Sequence, residues 1–206
     1  MQEKEHWEKV YSTKAVDEVS WFQKHAEISI RLIRASGAST ESSIIDVGGG
    51  ASVLADDLLK QGYRNISVLD LSGAALEKAK ARLNEKSSAI RWIEANVLEY
   101  AFERHEFDVW HDRAVFHFLT SKHERDAYVS AVMRAVKPGG NVIVATFAED
   151  GPTSCSGLPV MRYSSDELHA EFGDSFQLLG HEKEVHHTPG GKDQKFVYCF
   201  CKKMNS

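Results

Sequence analysis

Three consecutive glycines lie between two acidic residues in the first half of the sequence. The run Asp46-Val47-Gly48-Gly49-Gly50 follows a short apolar stretch, and Asp70 stands 22 positions after Gly48. Glycine permits positive φ and lets a ligand approach the backbone closely. An acidic side chain at the end of the following strand can accept hydrogen bonds from both hydroxyls of a ribose. The spacing therefore predicts a site for a cofactor that contains adenosine.

The residues of this glycine run favour a cofactor without phosphate. The GxxxxGK[ST] pattern of a phosphate-binding loop is absent, and the dinucleotide pattern GxGxxG is incomplete because Val53 stands at its last position. Asp46 would repel a pyrophosphate and attract a cation. S-adenosylmethionine carries a sulfonium and an ammonium group and no phosphate. It is therefore the favoured cofactor, with NAD as the alternative.

Strand-like and helix-like runs alternate after residue 42. The strands are predicted at 43–47, 65–70, 90–94, 107–112 and 141–147, and the helices between them at 53–61, 74–83 and 124–136. Strands that are separated by helices imply right-handed crossovers and a parallel sheet. This alternation predicts an α/β fold with helices on both faces of the sheet.

The C-terminal part breaks the alternation. Two strand-like runs, 176–187 and 195–202, are joined by a turn that contains Pro189, Gly190 and Gly191, a pattern typical of a hairpin. The second run is apolar on both faces, which predicts an interior strand. We therefore expect a Rossmann-like, mainly parallel seven-stranded sheet that includes a C-terminal antiparallel hairpin.

These motifs resemble those of the class I S-adenosylmethionine-dependent methyltransferases, over residues 40–203. The resemblance implies S-adenosyl-L-methionine as the cofactor and a set of residues that bind it. Those residues are the first motif with Asp46, Gly48, Gly49 and Gly50, the ribose acid Asp70 with Leu71, and the adenine-side pair Asn96 and Val97. Lys137-Pro138-Gly139-Gly140 is similar to the turn before the fifth strand of that family.

The sequence departs from the family pattern at two positions. Ser52 stands where many members have a third glycine, and Asn96 replaces the usual Asp. The carbonyl oxygen of Asn96 can still accept a hydrogen bond from the adenine amino group. We therefore expect cofactor binding to be retained.

The N-terminal segment is similar to that of the lysine methyltransferases that act on elongation factor 1A or citrate synthase. The resemblance implies that Trp7, Tyr11 and Trp21 close over the methionine end of the cofactor. It also places Arg113 where that group has a basic residue, so Arg113 is expected to bind the cofactor's carboxylate. Residues 1–36 are predicted to form an aromatic helical lid, and 40–203 the cofactor-binding core, within a single domain of residues 1–206.

The same resemblance implies methyl transfer to a protein lysine or a small molecule. Deprotonating a lysine at pH 7 costs about 5 kcal/mol, so a nearby base would help. Asp112 and His117 are the candidate catalytic residues, and residues 148–163 are expected to frame the acceptor pocket. Two alternatives stay open: an NAD-dependent Rossmann oxidoreductase, and a methyltransferase-like scaffold that binds the cofactor without catalysis.

Composition narrows the setting. The chain has 206 residues, a formal net charge of −5 and a hydrophobic fraction of 42%, which are typical of one globular domain. The acidic balance weighs against DNA as a partner, and no run is apolar enough for a membrane. The polar start lacks a secretion signal. The three cysteines form no CxxC, so we expect reduced thiols, no metal site and a cytoplasmic location, with no particular oligomeric state predicted.

Overall fold

One sheet organises the protein, which a computed structural model describes for residues 2–205. The strands are β1 (Ser43–Val47), β2 (Asn65–Asp70), β3 (Ile90–Glu94), β4 (Phe107–Arg113), β5 (Val136–Ala148), β6 (Ser154–Cys155), β7 (Leu158–Pro159), β8 (Arg162–Tyr163), β9 (Phe176–His187) and β10 (Asp193–Lys203). The helices are α1 (Gln2–Thr13), α2 (Glu27–Ala35), α3 (Leu54–Lys60), α4 (Gly73–Leu83), α5 (Lys122–Ala135) and α6 (Ser165–Ala170).

The strands pair in the order β3-β2-β1-β4-β5-β10-β9. The first five of these strands are mutually parallel, and β10 lies antiparallel between β5 and β9. The predicted Rossmann-like fold and its inserted C-terminal hairpin are therefore confirmed. The sheet also has an eighth strand, β8, beside β5. Strands β6, β7 and β8 have only two residues each, too few for a periodic pattern to predict.

The boundaries of β5 differ from the sequence prediction. This strand begins at Val136, directly after α5, whereas the sequence indicated a turn and a start at 141. Val136 pairs with Phe107, and the β4–β5 ladder shifts register between Phe107 and Val109. The segment Pro138-Gly139-Gly140 is therefore part of β5, and the shift in register accommodates it. The glycines that the sequence indicated as helix ends do follow helices. Gly37 comes after α2 and Gly62 after α3, with φ of +78° and +86°, which is typical of the residue that ends a helix.

Two apolar layers hold the helices against the sheet. One layer lies under α5 and α6, where Tyr128, Val132 and Leu168 are fully buried. The other lies under α2, α3 and α4, where Leu54 and Leu58 are fully buried. Both faces of the sheet are covered in this way, as parallel sheets require. Among residues 2–205, no helix is long and apolar enough to cross a lipid bilayer.

Lys203, the last residue of β10, closes the C-terminal end of α5. Its side chain is 4% exposed, and its ammonium group donates hydrogen bonds to the carbonyl oxygens of Met133 and Val136. The last carbonyls of a helix have no partner within the helix. The ammonium group therefore satisfies acceptors that burial would otherwise leave unpaired.

We expect Lys203→Met to lower the free energy of unfolding by about 2 kcal/mol, because two buried carbonyls lose their donor. The melting temperature should fall by about 4–8 °C. The neighbouring Lys202 is exposed, so Lys202→Met is the matched control and should change the free energy by less than about 0.5 kcal/mol. Equal melting temperatures for the two variants in thermal unfolding would contradict this role of Lys203.

Candidate active site

A cavity of about 210 Å³ opens at the carboxyl ends of β1, β2 and β4. In open parallel sheets this edge is where ligands bind. The predicted cofactor residues that line it are Trp7, Tyr11, Trp21, Gly48, Asp70, Leu71, Asn96, Val97 and Arg113. A second cavity of about 50 Å³ adjoins it, because both are lined by Tyr11, Trp21, Gly48 and Arg113. Asp46 and Gly49 line the second cavity.

Each glycine of the turn after β1 is required by a close contact. Gly48 has φ of +68°, and a Cβ atom there would lie 2.0 Å from Cγ2 of Val115. A Cβ on Gly49 would lie 2.3 Å from Oδ2 of Asp46. Gly50 lines neither cavity, and a Cβ on it would lie 2.5 Å from the Cβ of Ala75 in α4. The turn is thus packed against three elements with room only for backbone.

Asp70 holds the glycine turn from the end of β2. Its Oδ2 accepts a hydrogen bond from the backbone N–H of Gly50 at 2.9 Å, and its Oδ1 accepts one from Ser72 at 2.8 Å. The side chain is 7% exposed, and this burial raises the pKa of Asp70 to about 6. Each carboxylate oxygen has a further lone pair. The two oxygens can therefore still accept hydrogen bonds from a ribose at the cavity wall.

The raised pKa of Asp70 predicts that cofactor affinity depends on pH. Ribose hydroxyls donate to the ionised carboxylate, so affinity should fall by about tenfold between pH 7 and pH 5 as the group is protonated. Stability has the opposite dependence. Because the folded chain holds this proton more tightly than the unfolded chain, the contribution of Asp70 to stability decreases as the pH rises from about 4 to 6. Calorimetric titration over pH 5–8 measures the affinity, and a constant affinity would contradict the prediction.

Asp46 presents a carboxylate to the second cavity. Its Oδ1 lies 2.7 Å from Nδ1 of His111, and its Oδ2 is buried without a hydrogen-bond partner among the described residues. An unpartnered buried carboxylate oxygen is costly unless a ligand completes it. The cationic end of a phosphate-free cofactor would supply that partner. The acceptor oxygens of Asp70 and Asp46 therefore fit the ribose and the cationic end of S-adenosylmethionine.

Asn96 and Val97 form the wall opposite the glycine turn. The side-chain oxygen of Asn96 accepts from the N–H of Leu98 at 3.0 Å, and its amide group donates to Glu99 at 3.3 Å. The oxygen has a second lone pair for an adenine amino group. Leu71, Val97 and Leu98 line the cavity around it. This wall can hold an apolar ring with one polar edge.

An aromatic cluster covers the cavity from the N-terminal side. The Trp7 ring centroid lies 5.2 Å from that of Phe118 and 5.7 Å from that of Trp21, and Tyr11 lies 6.0 Å from Trp21. Glu8 fixes α1 in this place, since its carboxylate accepts hydrogen bonds from the first N–H groups of α4, those of Gly73 (2.7 Å) and Ala74. The helix dipole favours an anion at that position.

Arg113 lines both cavities, although the C-terminal hairpin occupies most of its guanidinium group. Nε donates to the hydroxyl of Tyr198 at 3.0 Å, Nη2 donates to Glu184 at 3.2 Å, and the group stacks 4.1 Å above the ring of Phe196. Nη1 has no hydrogen-bond partner among residues 2–205. One nitrogen of Arg113 is therefore left for the cofactor carboxylate that the resemblance assigns to it, and this role stays a prediction.

Comparison with known proteins shows what the segment that contains this site is similar to. Residues 44–140 match the family described as a methyltransferase domain, and this segment includes the glycine turn, Asp70 and the adenine-side wall. The chain is 23% identical over 190 residues to the EEF1A lysine methyltransferase 2 of Homo sapiens, covering 85% of this chain and 75% of that relative. The chain carries a methyltransferase domain over residues 44–140 and is similar to S-adenosylmethionine-dependent methyltransferases. This similarity favours S-adenosylmethionine over the nicotinamide alternative.

A second relative is also named as a methyltransferase, and two solved structures share the fold. The ubiquinone/menaquinone biosynthesis C-methyltransferase of Idiomarina loihiensis is 24% identical over 169 residues, 75% of this chain and 64% of that relative. A solved structure from echinomycin biosynthesis has the same fold with a TM-score of 0.80, 18% identity and coverage of 99% and 94% of the two chains. The Burkholderia thailandensis 1,6-didemethyltoxoflavin-N1-methyltransferase has a TM-score of 0.71, 16% identity and coverage of 98% and 84%.

In this methyltransferase the two predicted catalytic residues do not line either cavity. Asp112 is fully buried, and its carboxylate accepts hydrogen bonds from the Tyr128 hydroxyl at 2.6 Å and from the N–H groups of Val115 and Phe116. Successive strand residues point to opposite faces, so Asp112 points toward α5 while Arg113 points toward the cavities. Asp112 holds the turn after β4, and its placement does not fit a general base.

His117 is also withdrawn from the cavity. It is fully buried between the rings of Phe118 and Phe147, and its Nδ1 accepts a hydrogen bond from the N–H of Phe147 at 3.4 Å. Burial and the nearby Arg113 lower the pKa of His117 to about 3. The ring is therefore neutral near pH 7, and it packs against the cavity wall without reaching the substrate.

Sequence reasoning missed several residues that line the cavity. Phe118 lines the cavity and its neighbour His117 does not. Both belong to the aromatic run Phe116-His117-Phe118, which indicated that this segment lies at the site but not which side chain faces it. Cys155, Leu158 and Pro159 also line it. They lie in the segment 148–163 that was expected to frame the acceptor pocket. Ser156 and Gly157, with φ of +51° and +81°, make the tight turn that brings β6 and β7 over the cavity.

Proposed function

We propose that this methyltransferase transfers the methyl group of S-adenosylmethionine to the side-chain nitrogen of a protein lysine. The observation that carries the proposal is the aromatic and apolar frame of the cavity beside the lid. Trp7, Phe118, Leu119, Leu158 and Pro159 form this frame without a charged side chain among them. Apolar surroundings lower the pKa of an amine, and aromatic faces stabilise an alkylammonium product. The similarity to a relative that is named a lysine methyltransferase supports the same acceptor.

The residues of the cavity bind and orient the reactants and exclude water. When bound, S-adenosylmethionine supplies a methyl group that its sulfonium already activates. Asp70 holds the ribose, Asp46 faces the cationic end, and the aromatic lid keeps water from the acceptor nitrogen. Positioning of this kind accounts for a large part of the rate of a displacement reaction.

The described cavity residues offer no general base near neutral pH. Burial raises the pKa of the Cys155 thiol to about 12 and raises the pKa of Tyr11 further. Asp70 is assigned to the ribose and Asp46 to the cationic end of the cofactor, so neither carboxylate is left for the acceptor. We therefore infer that the acceptor amine loses its proton to water as it enters the apolar frame.

A small-molecule acceptor is the second candidate. The hairpin of β6 and β7 and the helix α1 both cover the cavity, and a covered cavity of about 210 Å³ favours a compact acceptor. A protein of the same fold from Burkholderia thailandensis is named for such an acceptor, 1,6-didemethyltoxoflavin. The absence of DNA among its partners and the cytoplasmic location stay predictions from the net charge and the cysteines.

Transfer from a labelled cofactor tests both candidates. The purified chain is incubated with cell lysate and S-adenosylmethionine that carries a tritiated methyl group, and proteins are separated from small molecules. Label on a lysine of one protein, absent with the Asp70→Ala variant, supports the proposal. Label in a small molecule other than the cofactor, absent with the Asp70→Ala variant, supports the second candidate. Equal labelling with the wild-type chain and the variant contradicts both.

A further inference from the structure

A buried chain of hydrogen bonds links β1, β4 and α2 at the wall of the second cavity. Asp46 of β1 and His111 of β4 are register partners in the sheet, and their side chains are 3% and 2% exposed. Nδ1 of His111 lies 2.7 Å from Oδ1 of Asp46, and its Nε2 lies 2.8 Å from the hydroxyl oxygen of Ser29 in α2. Ser29 and His111 line the second cavity together with Asp46, and neither has been given a role in binding above.

The direction of these hydrogen bonds follows from the groups themselves. A carboxylate oxygen accepts hydrogen bonds and an imidazole N–H donates them, so Nδ1 of His111 donates to Oδ1 of Asp46. A serine hydroxyl can donate or accept, so Ser29 can pair with Nε2 of the same ring. The two contacts hold the imidazole ring from both sides, and through it they fix the direction of the Asp46 carboxylate.

Asp46 lines the second cavity, and its other oxygen, Oδ2, is buried and free of hydrogen bonds to the described residues. Gly49 leaves open the space beside it, since a Cβ there would lie 2.3 Å from Oδ2. The second cavity continues from the one that Asp70 lines. A ligand whose ribose is held by Asp70 can therefore extend its far end to Asp46.

We propose that Ser29 and His111 are positioning residues that hold Asp46 so that Oδ2 accepts a hydrogen bond from the ammonium group of S-adenosylmethionine. The proposal rests on the assignment of that cofactor. The hydrogen bond from Nδ1 of His111 occupies Oδ1 and leaves Oδ2 for the ligand. The hydrogen bond between Ser29 and Nε2 holds the ring in this place and ties α2 to the same carboxylate.

Three ligands separate this role from a general structural one. S-adenosylmethionine and S-adenosylhomocysteine both carry the ammonium group, whereas 5′-methylthioadenosine has the same adenosine without the amino-acid end. We expect His111→Phe to weaken binding of the first two by about 10–100-fold, as loss of a charge-assisted hydrogen bond predicts. Binding of 5′-methylthioadenosine should change by less than about twofold, within ordinary variation of such values. Calorimetric titration measures all three affinities.

Two further variants keep the test independent of how well His111→Phe folds. The side-chain amide of His111→Asn reaches the place of Nδ1 and can donate to Asp46, so this variant should bind S-adenosylmethionine within about threefold of the wild type. Ser29→Ala should lose about three- to tenfold for the two amino-acid ligands only. An equal loss for all three ligands, or no loss in Ser29→Ala, would overturn the proposal. A wild-type chain that binds none of the three would instead contradict the cofactor assignment.

Discussion

The Asp70→Ala variant is expected to bind S-adenosylmethionine about 100–1000-fold more weakly than the wild type. The ionised carboxylate can accept from both hydroxyls of the ribose, and each hydrogen bond to a charged group contributes about 1.5–2 kcal/mol. Asp70 also orders the site, because it accepts hydrogen bonds from the N–H groups of Gly50 and Ser72 and so holds the glycine turn and the start of α4. The variant removes both contributions. Calorimetric titration of the purified variant measures the loss.

The fold should survive this substitution. Removing a buried carboxyl group whose pKa is raised by burial relieves a desolvation cost, which offsets the two lost backbone hydrogen bonds. Asp108→Ala is the matched control. The Asp108 carboxylate also accepts a hydrogen bond from a backbone N–H, that of Ser43, but at the amino ends of β1 and β4, away from the cavity. That variant should lose stability and keep its affinity. Unchanged affinity in Asp70→Ala would refute its role at the ribose.

Gly48→Ala is expected to have the second large effect, on both stability and binding. An alanine at φ of +68° is strained by about 1–2 kcal/mol. Its Cβ would in addition lie 2.0 Å from Cγ2 of Val115, and overpacking of this kind costs about 1–3 kcal/mol. Gly48 and Val115 both line the cavity, so relief of the contact by either residue changes the cavity wall. We therefore expect the free energy of unfolding to fall by about 2–5 kcal/mol and the affinity to fall by more than about tenfold.

The Gly37→Ala variant separates the effect of backbone strain from the effect of the close contact with Val115. Gly37 has a similar φ of +78°, but no atom lies within 4 Å of the Cβ that alanine would add. This control should lose about 1 kcal/mol in chemical denaturation and keep its affinity. The double variant Gly48→Ala with Val115→Ala should recover part of the affinity because the contact is removed. If Gly48→Ala matched Gly37→Ala in both stability and affinity, the close contact with Val115 would have no effect.

The lid and the ribose site share one structural element. Glu8 of α1 accepts hydrogen bonds at the N-terminus of α4, and Asp70 is bonded to Ser72, which caps the same helix through the N–H of Ala75. Movement of α4 would therefore displace the aromatic cluster and the ribose acid together. Helix α1 thus does more than cover the cavity, because its attachment shares the capped helix end that Asp70 helps to fix.

The sequence by itself determined the parts of the site that lie within one βαβ unit. The glycine turn and Asp70 are held close by the crossover between β1 and β2, so their spacing along the chain predicted their contact. The alternation of elements likewise predicted the sheet, and the two apolar faces of the last run predicted that β10 is interior. In each case the information is local, because periodicity and turn residues act over a few positions.

Only the tertiary structure decided which polar side chains are free for chemistry. Arg113 is held by Glu184 and Tyr198, and Asp112 by Tyr128 and the turn that follows it. These partners lie on other strands and helices, so no spacing along the chain indicates them. A buried polar group must find its hydrogen bonds wherever packing brings a donor or acceptor. Packing therefore left Asp46 with a free oxygen, and it withdrew Asp112 from the role that its position in the sequence suggested.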